Sequence, residues 1–150
     1  MIIFADTNAL GSTYLGDESD GSWIRQVIFD GVDPVVVSEL ADVELASLLV
    51  RAKSDGRIDK SEMANCLVAY TEHTADDGPI GVVAITRDSF ARAQQFLLQV
   101  SVRTLDALHL AAAQLLGDAN GEDVVVLTLD HRQAGAAQAL GLPLYKRPAH

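Results

Sequence analysis

The chain has 150 residues and a mass of 16.0 kDa, a length that fits one domain. Hydrophobic residues make up 49% and the mean hydropathy is +0.17, which excludes a disordered chain, while no apolar run reaches the roughly 20 residues that a membrane-spanning helix needs. The formal charge of −10 argues against general electrostatic attraction to nucleic acid, unless acidic residues hold metal ions that cancel their charge.

The start of the chain and its cysteine content indicate a cytoplasmic protein outside any membrane. Residues 1–5 are apolar but too few for a signal peptide, and they run directly into Asp6, so we expect them to form the first strand. Cys66 is the single cysteine, so the chain forms no internal disulfide and has no zinc-binding cysteine spacing. A reducing cytoplasm suits such a chain.

Strand and helix patterns alternate along the whole chain. Strands are predicted at residues 2–5, 35–37, 81–85, 124–129 and 142–145. Helices are predicted at residues 8–15, around 23–28, at 39–53 behind Ser38 as N-cap, at 59–74, after the cap Thr86, at 104–116 and at 132–140, with a loop at 16–21. The pattern predicts a single α/β domain over residues 1–150, with a mainly parallel sheet of five strands.

Four acidic residues are predicted to converge on one metal site: Asp6, Glu44, Asp106 and Asp130. Asp6 and Asp130 each follow a predicted strand, and open α/β sheets bind ligands just outside the carboxyl ends of their strands. Carboxylates roughly 4 Å apart repel by about 4 kcal/mol at an effective dielectric near 20, so such a cluster needs protons or cations. A divalent cation is the natural counter-charge.

Each acid also has a purely structural interpretation. Asp6 is a possible N-cap of the helix that follows it, and Asp130 forms a possible capping box with Gln133. Glu44 interrupts the apolar stripe of its helix, a turn too far in for the helix dipole to explain it, and an ion pair with Arg51 is the alternative. Asp106 lies in the first turn of its helix, where the helix dipole favours a negative charge. That helix has scarcely any other polar residue, which favours a functional role for Asp106.

Four further residues are candidates for supporting roles. Asn8 either holds a carboxylate or a water molecule, or is a turn residue; Thr128 either supports Asp130 or is only a strand residue. Arg103 either meets a phosphate or pairs with a surface acid. His109, one turn after Asp106, is interpreted as a hydrogen-bonded core histidine rather than a ligand.

The chemistry of the four acids favours magnesium. This ion prefers oxygen ligands, and a cluster of Asp and Glu without His or Cys suits it. One or two such ions would activate water and stabilise the phosphorus centre during phosphodiester hydrolysis, which predicts 5′-phosphate and 3′-hydroxyl products. The sequence has no P-loop, dinucleotide-binding glycine motif, nucleophile elbow or zinc-protease helix.

Four segments, in this order, resemble the PIN-domain family and within it the VapC toxins. They are IFADTNAL at residues 3–10, the helix that carries Glu44, RTLDALHLAA at residues 103–112, and LTLDHR at residues 127–132 with the Ala136-Ala137 and Gly141-Leu142 pairs behind it. The resemblance implies a three-layer α/β/α fold and a Mg²⁺- or Mn²⁺-dependent ribonuclease with Asp6, Glu44, Asp106 and Asp130 at its metal site, supported by Asn8 or Thr128.

The resemblance also implies partners: an RNA substrate, a cognate VapB-like antitoxin that inserts a basic side chain among the carboxylates, and a second copy in a homodimer. Single-stranded or loop RNA is the expected target, because an A-form duplex hides its bases in a narrow groove. Candidates for contact with the RNA backbone are Arg51, Lys53, Arg87, Arg103, Arg132, Lys146 and Arg147.

Two other functions remain open from the residues. A phosphatase of the haloacid dehalogenase type also has an Asp after its first strand, but it needs a second Asp two positions on, where this chain has Asn8. The second is a PIN-like module that has the same fold and binds RNA or a partner protein but has lost its catalytic activity. Metal-dependent cleavage of RNA discriminates between them.

Overall fold

A computed structural model describes residues 1–16 and 19–149 of the chain. Within these residues the sheet has four strands, all parallel: β1 (Ile2–Ala5), β2 (Val35–Ser38), β3 (Ile80–Val83) and β4 (Val124–Leu127). Their order is β3-β2-β1-β4. All four residues of β1 are buried, as expected for the central strand of a parallel sheet covered on both faces.

Helices connect the strands and cover both faces of the sheet. They are α1 (Thr7–Ser12), α2 (Gly21–Arg25) with a π-helical turn (Gln26–Asp30), α3 (Ala41–Ser54), α4 (Lys60–His73), α5 (Arg87–Gln99), α6 (Thr104–Asn120) and α7 (His131–Ala139). Reciprocal hydrogen bonds cap α4 at Asp59 and α5 at Thr86. In the described part of the chain, no helix has both the length and the apolar character that crossing a bilayer requires.

The core lies in two layers, one on each face of the sheet. Ile3 of β1 and Val35 and Val37 of β2 pack with buried residues of α1, α2, α3 and α4, such as Leu45. On the opposite face, Phe4 of β1 and Val124 and Val126 of β4 pack with α5, α6 and α7. The apolar helix α6 is buried throughout residues 107–113. The predicted three-layer α/β/α architecture is confirmed.

The strand order reverses at β1. The chain runs from β1 outward to β2 and β3, and later returns to place β4 on the other side of β1. The connections that leave β1 and β4 therefore diverge, and a crevice opens between them at the carboxyl ends of the strands. Asp6 follows β1 directly, at the mouth of this crevice.

The fifth strand is where the structure departs most from the sequence-based expectation. Residues 142–145 do not form a strand; Leu144 makes a single parallel bridge to Val126. Pro143 accepts a hydrogen bond from the Val126 amide at 2.8 Å, but it has no N–H to donate, so the ladder cannot extend in that direction. The sheet thus has four strands and one bridge beside β4.

Several boundaries also differ from the expected ones. Helix α3 begins at Ala41 rather than at residue 39, because the Glu39 amide still hydrogen-bonds to the Val83 carbonyl of the neighbouring strand at 2.9 Å. Ser38 is therefore not the N-cap, although its hydroxyl accepts from the Leu40 amide at 3.2 Å. Strand β4 ends at Leu127, two residues earlier than expected. Part of the predicted loop at 16–21 lies outside the described residues.

Candidate active site

Asp6 is a buried carboxylate with two protein partners. Its Oδ1 accepts a hydrogen bond from the Ala9 amide at 2.8 Å, which makes it the N-cap of α1, and the Thr128 hydroxyl donates to its Oδ2. Only 2% of Asp6 is exposed. Burial raises the pKa of Asp6 from 3.8 to about 6, although the hydrogen bonds from Thr128 and Ala9 pull it down. The capping interpretation of Asp6 is thus correct, yet it leaves the cost of the buried charge unexplained.

Glu44 is held by hydrogen bonds from two helices, α1 and α6. Its Oε1 accepts from the Thr7 hydroxyl at 3.2 Å and from His109 Nε2. Burial raises the pKa of Glu44, but the contacts with His109 and Thr7 outweigh it, so the pKa of Glu44 lies below its ordinary value. Glu44 lies in the first turn of α3, so the expectation that the helix dipole does not act on it was wrong. In the described chain, its ion pair with Arg51 is absent.

His109 connects the site to the sheet. It is 2% exposed, packs edge-on against the Phe4 ring at 6.3 Å, and places Nδ1 3.0 Å from the Ser38 hydroxyl. Because an ionised carboxylate can only accept, His109 Nε2 is the donor to Glu44, and Nδ1 lies within hydrogen-bond distance of the Ser38 hydroxyl. The interpretation of His109 as a hydrogen-bonded core residue is correct, but its partner Glu44 was not foreseen.

Asp106 and Asp130 share one cation, the guanidinium of Arg103. Its Nε lies 3.1 Å from Asp106 Oδ2 and its Nη2 lies 3.0 Å from Asp130 Oδ2. The two acidic side chains are 15% and 17% exposed, whereas that of Arg103 is 62% exposed. Asp130 also caps α7 by accepting from the Arg132 amide at 2.8 Å, but the predicted capping box with Gln133 does not form, because the Asp130 amide bonds to Thr128 instead. Arg103 thus neutralises two carboxylates that lie far apart in the sequence.

Three of the four acids line one small cleft at the carboxyl ends of the strands. Asp6, Glu44 and Asp106 surround a space of about 50 Å³, together with Thr7, Asn8, Leu48, Arg51, His109 and Gln133. This volume holds a few water-sized groups. Asp130 does not line this cleft but an adjoining pocket of about 270 Å³, which it shares with Asn8 and Leu48. The structure therefore brings three predicted residues together and joins the fourth through Arg103.

Gln133 has a role that the sequence did not reveal, whereas Thr128 was predicted to support Asp130 and contacts Asp6 as well. Gln133 is 2% exposed and lines the cleft, and its Nε2 is a buried donor without a hydrogen-bond partner among the described residues. Such a donor is costly unless a ligand oxygen satisfies it. Thr128, expected to lie on β4, follows the strand; its hydroxyl donates to Asp6 and accepts from the Asp130 amide at 3.0 Å. It therefore links two of the acids.

The donor set fits a hard divalent cation in its chemistry. In residues 1–16 and 19–149, no three His, Cys, Asp or Glu side chains stand close enough, as oriented, to hold a metal ion together. Each carboxylate is turned to a protein donor instead: Asp6 to Thr128, Glu44 to His109, and the other two to Arg103. The cleft nevertheless offers the oxygens of three carboxylates, which are the ligands that hard divalent cations prefer.

A parallel sheet between two helical layers, with acids at the strand ends, defines an α/β/α protein with a carboxylate-lined cleft. The PIN domain model matches residues 3–138, and the chain belongs to the PIN domain family. The resemblance seen in the sequence is thereby confirmed.

Two relatives and one solved structure from Mycobacterium tuberculosis are similar to this chain. Ribonuclease VapC45 of Mycobacterium tuberculosis (strain CDC 1551 / Oshkosh) and ribonuclease VapC49 of M. tuberculosis (strain ATCC 25618 / H37Rv) are each 29% identical over 124 residues, or 81% of this chain and 80% of theirs. The crystal structure of M. tuberculosis VapC20, a sarcin-ricin loop cleaving toxin, is similar with a TM-score of 0.68 over 97% of this chain and 99% of that one. At 17% identity, that similarity shows a shared fold.

Proposed function

We propose that this PIN domain is a metal-dependent endoribonuclease that hydrolyses RNA phosphodiester bonds, and that it is the toxin of a VapBC-type toxin–antitoxin pair. The observation that carries the proposal is the shared cleft of Asp6, Glu44 and Asp106 at the point where the strand order reverses. Two relatives named ribonucleases support RNA as the substrate. In this proposal, residues 1–150 form a single nuclease domain.

Asp6, Glu44 and Asp106 would hold one or two Mg²⁺ or Mn²⁺ ions, with Asp130 as the outermost carboxylate. The bound ion supplies Lewis-acid chemistry: it lowers the pKa of water and neutralises charge that develops on the phosphate and the leaving oxygen. The Arg103 guanidinium pairs with Oδ2 of both Asp106 and Asp130, so it would compete with a metal ion for these two carboxylates.

The surrounding residues keep the carboxylates charged and correctly oriented. The Thr128 hydroxyl and the Ala9 amide fix the two oxygens of Asp6, and Thr7 and His109 hold Glu44 in its ionised form. Gln133 Nε2 is a donor within the cleft that a phosphate oxygen of the substrate would satisfy. Asn8, exposed at the edge of the cleft, is a further amide that can hold substrate or water.

The test is cleavage of structured RNAs by purified protein that is free of antitoxin. We expect cleavage in Mn²⁺ or Mg²⁺, its loss with a chelator, and products with 5′-phosphate and 3′-hydroxyl ends. Asp6→Asn removes one charge at nearly constant volume and should abolish cleavage. The matched control is Asp59→Asn, which makes the same change at an exposed N-cap that does not line the cleft.

Three results would argue against this metal-dependent nuclease or its proposed site. Cleavage that survives Asp6→Asn would make Asp6 a cap and nothing more, and 2′,3′-cyclic phosphate ends would exclude activated water as the nucleophile. Intact RNA in the presence of Mn²⁺ would favour the alternative of a binding module without catalysis. PIN-family membership, together with Asn8 in place of a second Asp, disfavours the phosphatase.

The expected partners follow from the same site. A VapB-like antitoxin would insert a basic side chain among the carboxylates, much as Arg103 already bridges two of them. Exposed apolar side chains on α5, such as Phe90 at 49% and Leu98 at 83%, support a homodimer. The single cysteine is in keeping with action in the cytoplasm. An adjacent reading frame whose product blocks cleavage would establish the pair.

A further inference from the structure

A cavity of about 500 Å³ adjoins the acidic cleft, beside the segment that joins α5 to α6 and the first turns of α7. Val100, Val102 and Ala136, which pack into the core beneath, supply an apolar lining. Asp106 lines both this cavity and the acidic cleft, so the two spaces are neighbours. We call this cavity the flanking pocket. Its volume lies within the range of pockets that hold small molecules of nucleotide size.

The rim of the flanking pocket carries a concentration of basic residues. Arg103, His131 and Arg132 all line it, in a chain with 11 Lys and Arg against 21 Asp and Glu. Arg103 is engaged with carboxylates, but within the described residues the guanidinium of Arg132 makes no hydrogen bond or ion pair. The amides of Arg132 and Gln133 are already bonded to Asp130, at 2.8 and 3.4 Å. An anion in this pocket would therefore be bound by side chains rather than by the N-terminus of α7.

We propose that the flanking pocket binds the nucleotide next to the scissile phosphate of single-stranded RNA. Its base lies on the apolar lining of Val100, Val102 and Ala136, and its phosphate meets Arg132. This inference rests on the proposed function. An RNA chain that passes Asp106 in the cleft must continue into an adjoining space, and this one combines an apolar surface with unpaired positive charge. A base within a duplex could not reach that surface, so the strand must be unpaired.

Gly135 allows the pocket to be filled without disturbing the fold. It lines the pocket, lies inside α7, and has no atom within 4 Å of a Cβ added to it. Gly135→Leu therefore projects a side chain into the cavity and also favours the helix. Gln138→Leu is the control, because it adds the same side chain at an exposed position of the same helix that does not line the pocket.

The measurement is the affinity for a fluorescein-labelled single-stranded RNA of mixed sequence, by anisotropy, in full-length protein carrying Asp6→Asn. Gly135→Leu should weaken binding about tenfold and leave its salt dependence unchanged, since no charge is lost. Arg132→Ala should also weaken binding, and should reduce the slope of log affinity against log salt by about 0.7, the value for one phosphate contact on a single strand. Gln138→Leu should bind as the parent does.

The outcomes separate this inference from the proposed function. If the wild-type chain cleaves RNA while Gly135→Leu and Arg132→Ala bind RNA as well as the parent, the pocket assignment is wrong and the nuclease stands. If the two changes abolish inhibition by the antitoxin but not RNA binding, the pocket belongs to the antitoxin, and the assignment is likewise wrong. If the wild-type chain neither binds nor cleaves RNA, the proposed function itself has failed.

Discussion

His109 and Glu44, 65 residues apart in the sequence, share a hydrogen bond at the edge of the candidate active site. The imidazole is 2% exposed and is fixed from behind by Ser38 on β2. Glu44 is thereby kept in its charged form in spite of its burial, because the contact with His109 offsets the cost of desolvation. His109 acts through Glu44 and is a positioning residue in the proposed nuclease.

Replacing His109 should weaken metal binding although all the proposed metal ligands are kept. We expect His109→Leu to lower Mn²⁺ affinity about 10- to 100-fold, as changes to residues behind metal ligands typically do. Its metal binding should also shift to higher pH, because the pKa of Glu44 loses the contact that lowers it. His109→Gln keeps an N–H donor for Glu44 and should restore much of the affinity. Equal affinities of both variants, measured by calorimetric Mn²⁺ titration, would show that His109 is only core packing.

Asp6→Asn should stabilise the metal-free protein while it abolishes cleavage. The folded pKa of Asp6 is about 6 against an ordinary value of 3.8, so the folded state binds more protons than the unfolded state between about pH 4 and 6. The stability contributed by the protonated Asp6 is therefore lost as pH rises through this window. The variant should gain stability over the wild type across the same range, by at most about 3 kcal/mol at neutral pH. Asn retains the cap to Ala9.

Denaturant unfolding at pH 4 and pH 7 checks this prediction, with Asp59→Asn as the control. Asp59→Asn should change the free energy of unfolding by only a few tenths of a kcal/mol at either pH, because it exchanges one good exposed cap for another. Added Mn²⁺ should stabilise the wild type and not Asp6→Asn. Mn²⁺ binding by the wild type should strengthen as pH rises through about 6, because the ion must displace the proton that Asp6 carries below that pH. A variant less stable than the wild type at pH 7 would contradict the raised pKa.

The sequence predicted the layers of the fold because they follow from local signals. Runs of Val and Ile mark the strands, apolar periodicity marks the helices, and their alternation implies parallel strands with helices on both faces. The position of Asp6 directly after β1 follows from the same patterns, as does that of Asp130 in the short link between β4 and α7. The prediction of a fifth strand at residues 142–145 was wrong because of a single residue, since Pro143 lacks the N–H that a β-ladder requires.

The interactions inside the site were beyond sequence reasoning because they join distant segments. Thr128 and Asp6 are 122 residues apart, and no local pattern pairs their side chains. The start of α3 was misplaced because residue 39 still bonds to β3, a tertiary contact that overrides the capping signal of Ser38. Gln133 was read as half of a capping box, whereas only its burial shows that its amide has no partner in the described structure.

Arg103 should compete with metal ions for the carboxylates. We expect Arg103→Gln to raise the Mn²⁺ affinity of the RNA-free protein several-fold, because the cation that bridges Asp106 and Asp130 is removed. Cleavage should nevertheless fall, because the flanking pocket loses one of its basic residues. Calorimetric titration with Mn²⁺ measures the first effect and RNA cleavage the second.

Arg92→Gln is the matched control for Arg103. The half-buried Arg92 of α5 pairs with Asp118 of α6 at 3.5 Å and hydrogen-bonds to Gln114. Neither Arg92 nor these partners line the acidic cleft or the flanking pocket, so the Mn²⁺ affinity and cleavage of the variant should match those of the wild type. A lower Mn²⁺ affinity in Arg103→Gln would mean that Arg103 holds the carboxylates in place for the ion rather than competing with it.

Asp130 has two roles that two substitutions can separate. Asp130→Asn keeps a good cap on α7 and removes the charge, whereas Asp130→Ala removes both and should lower the free energy of unfolding by about 1 kcal/mol. Because Asp130 lies outside the cleft of the other three acids, Asp130→Asn should slow cleavage by about tenfold, or about 1.4 kcal/mol of barrier, less than Asp6→Asn does. If Asp130→Asn cleaves RNA at the wild-type rate while Asp130→Ala is destabilised, Asp130 is a helix cap alone, and the metal site comprises the three acids that share the cleft.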